Sequence, residues 1–597
     1  MSRAAVPRSG TPEKSAAPSR PAHERLPAAR DVVRRRVLAS IAVAAAVVLL
    51  FVAYLRISRT YTENSDSANI LLMSWDMLHG NLLLHGWYLS DVSFYPTELP
   101  QYAALEALLG LHADTAHVAA AMTYTLVLLF AVLLARGRTS GRPVMSSAWP
   151  PMALTAGLMI APQLGVGVFV LLLSVGHIGT AIPLMLTWLV IDKATARPCL
   201  PGGSTALSSS GGAPSPRTPL ADPPARTWFI PVIVGLLLTW VLVADPLVLV
   251  VGIVPLAAVC AVRVIRAVLA AAPRDRGAAL QARWYEVSLA AAAILAYGLA
   301  DLVNRLLSAH GGFVLHPLGY QLAPVHTWPK HAWVTGEGLF VLFGAKPQGP
   351  AAELAFALLH LAGVALVAWA MCRVARRFLS WPDLISQVLL VAIVLNVLVY
   401  VPSTLADATD LNAREFAVVL PFAAVLAGRV LAAPLAVGVH DGQPAIVGWL
   451  RGARWRAGLA GALAVGYLAS LGYAAAQPPV PPANVELAAF LADHHLTSGI
   501  AGYWQSSIVT VDSNGAVTVR AVWADTLRPY PWEAKASWYD PRSNRATFLV
   551  TDRQPGFFNY FQPGAAALAR YGPPARTYQV GPYTVLVWDK NLLDGPG

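Results

Sequence analysis

The residues of this chain that could do chemistry gather in a few short stretches. The first is Glu63-Asn64-Ser65-Asp66-Ser67-Ala68-Asn69, immediately after an apolar run. An acidic group at the head of a loop long enough to fold is a candidate reaction centre, because a carboxylate within reach of a hydroxyl can take its proton as the oxygen attacks. Asp66 is the candidate catalytic group, with Glu63 beside it. The same loop then supplies Trp87, Tyr88, Phe94 and Tyr95, with His85, Asp91 and Glu98 among them. Aromatics interspersed with polar groups suit a membrane interface and equally suit the faces of sugars. A purely structural role for Asp66, capping a helix or facing its macrodipole, is the competing expectation.

Three more stretches carry polar groups between apolar runs. His177 lies in Gly176-His177-Ile178-Gly179-Thr180, where a polar residue marks either a site or a hydrogen-bonded structural histidine. Asp245-Pro246 is either a substrate contact or a solvated turn. Residues 304–350 alternate Trp328, Trp333, Phe340 and Phe343 with His310, His316, His326 and His331, and Lys330 stands among them. None of these histidine spacings forms a compact ligand pair, so no metal and no cofactor is expected. A loop of this length without regular structure is expected to act as a lid or binding element.

The elements that position these residues are membrane helices. Hydrophobic residues make up 56% of the 597 and charged ones only 13%, which does not fit a soluble globular protein. A mean hydropathy of +0.53 agrees. A helix needs about 20 apolar residues to cross a core of about 30 Å. About eleven such stretches occur, near 37–56, 116–135, 149–171, 173–191, 227–244, 246–266, 284–303, 351–371, 384–402, 415–433 and 455–474. The third and fourth are interrupted by Gly165, Gly167, Gly176 and Gly179, which fits a pair of spans or a span with a re-entrant segment.

Basic loops remain cytoplasmic, and the clusters fall on one side of an eleven-span arrangement. They are Arg34, Arg35 and Arg36; Arg136, Arg138 and Arg142; Arg263, Arg266, Arg274 and Arg276; Arg373, Arg376 and Arg377; and Arg451, Arg454 and Arg456. The net charge of +11 is therefore mostly topology and implies no nucleic-acid partner. The expected location is the cytoplasmic membrane, with a cytoplasmic amino terminus, an uncleaved first span and a carboxyl-terminal domain outside. Cys199, Cys260 and Cys372 offer no disulfide framework.

Residues 1–33 read as a disordered cytoplasmic tail, residues 34–476 as the membrane domain with outer loops 57–115 and 304–350, and residues 193–226 as a flexible cytoplasmic loop. Ser65 is the expected cap of a helix along the membrane surface, its face formed by Ile70, Met73, Met77 and Leu78 before Gly80 ends it. Residues 477–597 read as a separate α+β unit behind the stiff linker of Pro478, Pro479, Pro481 and Pro482. A helix is expected over Val485 to Leu496 and a hairpin over Ile508 to Val522, turning at Asn514-Gly515. Strands are expected over Ala546 to Val550 and Tyr583 to Val587, with a helix at Ala565 to Tyr571. The unit is rich in aromatics, including Tyr503, Trp504, Trp523, Tyr530, Trp532, Trp538 and Tyr539, and is expected to bind an acceptor or brace the membrane part.

The first span, then Asp66-Ser67-Ala68-Asn69-Ile70-Leu71-Leu72 with a His79-Gly80-Asn81 end, resembles the first outer loop of the GT-C membrane glycosyltransferases. That superfamily includes the protein mannosyltransferases, the lipid A aminoarabinose transferases and the lipopolysaccharide glycosyltransferases. Asn412-Ala413-Arg414-Glu415-Phe416, followed by Val419-Leu420-Pro421-Phe422, is similar to the Arg-aromatic-Pro pattern at the outer start of a late span in these enzymes.

The resemblance implies transfer of a sugar from a polyprenyl-phosphate donor, within membrane lipid, to an envelope glycan, glycolipid or protein acceptor. Asp66 then stands at the catalytic aspartate position. A cation near the departing phosphate lowers the barrier, and Arg414 is the first candidate, with Lys330, His331 and His326 as alternatives. Glu63, His85, Tyr95, His177 and Asp245 are candidate substrate-binding residues. Many relatives carry two adjacent acids where Ser67 follows Asp66 here, which speaks against a metal-assisted mechanism, although Glu63 or Asp76 is near enough in sequence to supply a second carboxylate. Arg414 reads equally as a headgroup anchor. Two other classes remain compatible: a membrane scaffold without chemistry, and a lipid-linked sugar transporter, for which internal repeats and polar residues within several spans are expected.

Overall fold

The computed structural model describes residues 25–137, 149–173, 177–194, 228–317, 319–406, 409–437, 446–554 and 560–594. Arg138, Arg142, Gly176, Cys199, Asp407, the 198–224 linker and most of the amino-terminal tail lie outside the described residues, as do the side chains of Asp410, Arg451, Arg454 and Arg456. The chain divides into two units, Met1–Phe51 and Val52–Gly597. The described part of the first belongs to helix α1, Arg25–Ser58.

The architecture is mainly helical, with a small α+β region at the carboxyl end. Among the described residues, five helices are long and apolar enough to cross a membrane: Val33–Ser58, Asp114–Arg136, Leu249–Ala270, Trp284–Ala309 and Ala351–Arg376. Four of the expected spans are shorter apolar helices, Ile230–Ala244, Leu384–Tyr400, Val419–Leu431 and Gly461–Ala475. The expected spans at 149–171 and 173–191 are not continuous. Helix Trp149–Met159 stops before Pro162, which disfavours helical backbone at Ala161, and Gly165 then turns with φ +75°. The chain resumes as a short turn of helix and a π-helical turn, Phe169–Leu173, and after residues 177–180 becomes helix Ala181–Ala194. A second π-helical turn, Leu249–Ile253, follows Asp245 closely. Such turns widen a helix locally and recur near functional sites.

One buried cation ties four helical segments together at the end of the bundle away from Asp66. Arg429 pairs with Asp192 at 2.8 Å and with Asp383 at 2.9 Å, and donates to the Leu134 carbonyl at 2.7 Å. Its side chain is 7% exposed.

The first outer loop folds into helices α2, Ser65–Leu78, and α3, Glu98–Leu109, with strand β1, Trp87–Leu89, between them. The cap of α2 is Asn64, one residue before the expected Ser65. Its side chain accepts from the Asp66 and Ser67 amides, and the Ser67 hydroxyl closes a capping box. The apolar face of α2 is covered by protein. Ile70, Leu71 and Met73 are buried in one core with Leu487, Leu491, Ile508, Val509 and Phe548 of the carboxyl-terminal region, each such side chain stabilising by about 1.5–3 kcal/mol relative to exposure. The second outer loop is not irregular throughout, since it holds helix Trp328–Leu342.

In the carboxyl-terminal region, strands β3 (Ser498–Ala501), β4 (Thr518–Ala521), β6 (Phe548–Asp552), β7 (Arg576–Val580) and β8 (Tyr583–Val587) form a sheet in the order β4-β3-β6-β8-β7. β3 pairs in parallel with β4 and β6; the remaining pairs are antiparallel. The expected hairpin at Ile508 to Val522 is instead helix Ser507–Asp512 followed by β4. Asn514 (φ +51°) and Gly515 (φ +79°) do adopt the left-handed backbone that a tight hairpin turn demands, but they use it to end that helix, their amides returning to the Val511 and Thr510 carbonyls at 2.8 Å.

A second, three-stranded sheet joins the outer loops to the carboxyl-terminal region in the order β2-β1-β5, where β2 is Val314–Leu315 and β5 is Ala534–Lys535. β1 runs parallel to β2 and antiparallel to β5, with Tyr88 opposite Val314 and Ala534. The residues just past or before these short strands, Ser90, Asp91, His316 and Glu533, are thereby brought together.

Candidate functional site

Asp66 is the second residue of α2. With the helix end already capped by Asn64, whose side-chain oxygen lies 3.0 Å from the Asp66 amide, the Asp66 carboxylate is free to face outward from the helix. It meets Arg414, 348 residues away, with Nη1 3.0 Å from Oδ2. Arg414 sits on the tight helical segment Asp410–Phe416, whose Ala413 and Phe416 are buried and whose Phe416 ring packs edge-on against Tyr400. That anchoring leaves Arg414 and Glu415 at the mouth of the bundle.

The other Asp66 oxygen accepts from the Tyr503 hydroxyl at 2.7 Å, and the same hydroxyl lies 2.6 Å from Oε2 of Glu533. Tyr503 follows β3, and Glu533 immediately precedes β5. Asn69, one helical turn beyond Asp66, donates to both Tyr503 and Glu533 at 3.1 Å. On the other side, Arg414 Nε lies 3.4 Å from Glu415. Glu415 accepts from His177 Nε2 at 2.9 Å, and His177 Nδ1 reaches Asp245 at 2.7 Å. Both ring nitrogens of His177 thus face carboxylates, and both donate only when the ring is an imidazolium. The Thr180 hydroxyl and Leu247 amide hold Asp245 in turn, at 2.5 and 2.8 Å. The result is a continuous polar chain: Glu533, Tyr503, Asp66, Arg414, Glu415, His177, Asp245.

This chain forms one wall of a cavity of about 550 Å³. Asp91 and His316 line it from the outer loops, and Trp504, Trp523, Tyr530, Trp532 and Tyr560 line it from the carboxyl-terminal region. His316 packs against Trp532 with ring centroids 4.9 Å apart.

The charges are strongly interdependent. Burial pushes the Glu533 carboxyl up to about 7, and the Asp66 charge adds to the effect. Burial and the same charge raise the Tyr503 hydroxyl well above its ordinary range. Burial would raise Glu415, but the His177 ring and the Arg414 guanidinium hold it down to about 2. Burial raises Asp91, helped by Glu415.

Of the candidate catalytic, phosphate-binding and substrate-binding residues, Asp66, Arg414 and His177 line the cavity, and Asp245 stands behind His177. The other candidates for those roles are elsewhere. Glu63 is buried in an ion pair with His117, whose other ring nitrogen meets Ser58. His85 is exposed and bonds the Gly311 carbonyl at 2.7 Å. Tyr95 packs against Phe313. Lys330 is exposed at the start of helix Trp328–Leu342, and the neighbouring His331 faces the Val401 carbonyl at 3.1 Å. Neither lines the cavity, because that helix turns its buried side toward Asp410–Phe416 instead. His326 is likewise exposed. Asp76 is taken by Lys535 at 2.9 Å and Trp87 at 2.8 Å, a link between α2 and the small sheet.

Three residues of the wall went unassigned in the sequence: Glu415, beside Arg414, and the distant Tyr503 and Glu533. Tyr503 reads there as one aromatic among many, and Glu533 as a lone acid in Pro531-Trp532-Glu533. No spacing connects either to Asp66.

No family model matches the chain, and no curated protein does. Among solved structures, the chain is similar to the crystal structure of ArnT from Cupriavidus metallidurans bound to undecaprenyl phosphate, at 14% identity and a TM-score of 0.49, over 94% of this chain and 99% of that one.

Proposed function

We propose that this protein is a membrane glycosyltransferase of the GT-C type, moving a sugar from a polyprenyl-phosphate donor to an acceptor hydroxyl on the outer face of the cytoplasmic membrane. The observation that carries the reading is the meeting of Asp66 and Arg414 at 3.0 Å on the wall of a cavity shared between membrane helices and an aromatic outer domain.

The chemistry follows from that pair. The acceptor oxygen forms a bond to the anomeric carbon as the bond from that carbon to the donor phosphate breaks. Asp66 takes the acceptor's proton, and the polyprenyl phosphate leaves with the bond electrons. Arg414 offers a forked donor to the charge that grows on the leaving phosphate, where a fixed cation lowers the barrier most. Before donor binds, Arg414 is engaged by Asp66, and the carboxylate oxygen that faces it is occupied. A phosphate arriving at Arg414 competes for the guanidinium and releases Asp66, so the base becomes effective only when donor is present.

The network behind Arg414 serves this function. Glu415, held charged by His177, keeps the guanidinium aimed into the cavity while the donor exchanges for Asp66. The aromatic wall from Trp504 to Tyr560 offers flat apolar faces for the rings of a glycan or glycolipid acceptor.

The test is sugar transfer by the purified protein in nanodiscs against polyprenyl-phosphate sugars and envelope acceptors, comparing the native chain with Asp66→Asn. Asparagine keeps the size of the side chain and one of its two acceptor oxygens but is no base at neutral pH, so a folded variant is expected to lose at least about 10²-fold in turnover. Equal turnover in both proteins removes Asp66 from the mechanism. Silence of the native chain across a broad panel favours a scaffold.

A further inference from the structure

We propose that Glu533 is a positioning residue of the same reaction, which carries a proton of its own, donates it in a hydrogen bond to the Tyr503 oxygen, and so commits the Tyr503 hydroxyl to Asp66. The proposal rests on the reading of Asp66 as the base.

The argument is a count of hydrogens. The Tyr503 oxygen lies 2.7 Å from an Asp66 oxygen and 2.6 Å from a Glu533 oxygen. A hydroxyl has one hydrogen, and an ionised carboxylate only accepts. Two such short contacts to one tyrosine therefore need a second hydrogen, which one of the carboxyls must supply.

The surroundings decide which carboxyl it is. Asp66 already accepts at both oxygens, from the Arg414 guanidinium at 3.0 Å and from the Tyr503 hydroxyl at 2.7 Å. Around Glu533 stand Asp66 and the neutral Asn69 from α2, Ser90 from beyond β1, and Tyr503 and Tyr530 from the carboxyl-terminal region. The nearest cation in sequence, Lys535, is turned to Asp76 at 2.9 Å, and Arg414 reaches this corner only through Asp66. Glu533 is 6% exposed and faces a negative charge, and among the described residues no cation pairs with it, so the proton belongs to it.

The backbone adds a second, independent observation. Glu533 has φ +48°, a left-handed conformation that residues with side chains rarely adopt and that recurs where surrounding structure imposes it at functional sites. The imposing structure is the pairing of Ala534 with Tyr88 in the small sheet. A carboxyl has been kept, buried and uncompensated by a cation, where the backbone itself favours glycine.

The consequence is an alkaline limit on transfer. When Glu533 loses its proton, a single tyrosine hydrogen is shared between two anions, Asp66 loses its fixed donor, and a new negative charge stands beside a base that must face an anionic phosphate. Activity is carried by the protonated form, so it falls as pH rises through about 7, the value to which burial and Asp66 push this carboxyl.

Glu533→Gln tests this, because glutamine donates a hydrogen as protonated glutamate does and never ionises. The variant is expected to keep transfer near the native rate on the acid side and to lose the alkaline fall; an unchanged alkaline fall in a folded, active variant overturns the proposal while leaving Asp66→Asn to decide the glycosyltransferase reading. A readout independent of transfer is the infrared difference spectrum of native protein against Glu533→Gln. A protonated-carboxyl carbonyl band that fades as pH rises through about 7 is expected, and its absence at acid pH overturns the proposal even if no sugar substrate is found. Should Glu533→Gln fail to fold, Tyr503→Phe removes the partner of that proton. The same band is then expected to shift to higher frequency, and an unshifted band overturns the assignment.

Discussion

Asp66 is one of several carboxyls near the cavity, and what each can do is set by its neighbours rather than by its own chemistry. Arg414 and Tyr503 occupy the two Asp66 oxygens, His177 and Arg414 hold Glu415 charged, and burial beside Asp66 pushes the Glu533 carboxyl up to about 7. Outside the cavity, burial pushes the carboxyls of Glu98 and Asp512 up to about 7 and that of Glu106 to about 8. Each of these binds a proton in the folded protein that the unfolded chain releases near the ordinary values of 4.5 and 3.8. The folded state therefore holds more protons across that window, and stability falls as pH rises through it, with the loss complete above about 8. Thermal unfolding in detergent is expected to show a falling midpoint from about pH 5 to about pH 8. A flat or rising midpoint contradicts the buried, protonated state of these groups.

At the scale of elements, short devices fix where the longer ones sit. Arg429 links helix Ala181–Ala194, the start of helix Leu384–Tyr400 and the end of α4, Asp114–Arg136, to its own helix, Val419–Val437. Removing one partner of a buried ion pair is costly, and Arg429→Ala takes the same cation from two carboxylates, Asp192 and Asp383. The variant is expected to lose about 3–5 kcal/mol of stability, read as a lowered unfolding midpoint in detergent, whereas a change of under about 1 kcal/mol contradicts the bracing role. Element type was legible where the pattern was long or local: the apolar helices, the strand Tyr583–Val587 and the left-handed pair Asn514-Gly515 could all be read in advance. What that pair would terminate could not, because a hairpin turn and a helix end ask for the same positive φ.

At the scale of the whole molecule, the carboxyl-terminal region is part of the site. It buries one face of α2, supplies β5 to the sheet that gathers the outer loops, and contributes Tyr503, Glu533 and the aromatic wall to the cavity. Ending the chain after residue 476 exposes Ile70, Leu71 and Met73 and removes two partners of the Asp66 network. Such a protein is expected to lose transfer altogether and to become sensitive to protease within residues 57–115. Protection equal to that of the full chain contradicts the shared core.

The amino-acid sequence by itself determined the membrane class, most of the apolar helices, the presence of an α+β tail, and the two residues, Asp66 and Arg414, that stand together on the cavity wall. These are local properties, since hydropathy, spacing and short motifs are written in neighbouring residues. Only the tertiary structure decided that Tyr503 and Glu533 complete the wall, that α2 is buried under the carboxyl-terminal region, and that Lys330, His331, His85, Tyr95 and Glu63 stand away from it. Tyr503 is 437 residues from Asp66, and Glu533 is 464 from Asn69. Polar residues on a cavity wall follow no period, and partners that far apart meet because burying α2 and pairing three short strands leaves the chain no other arrangement at that corner.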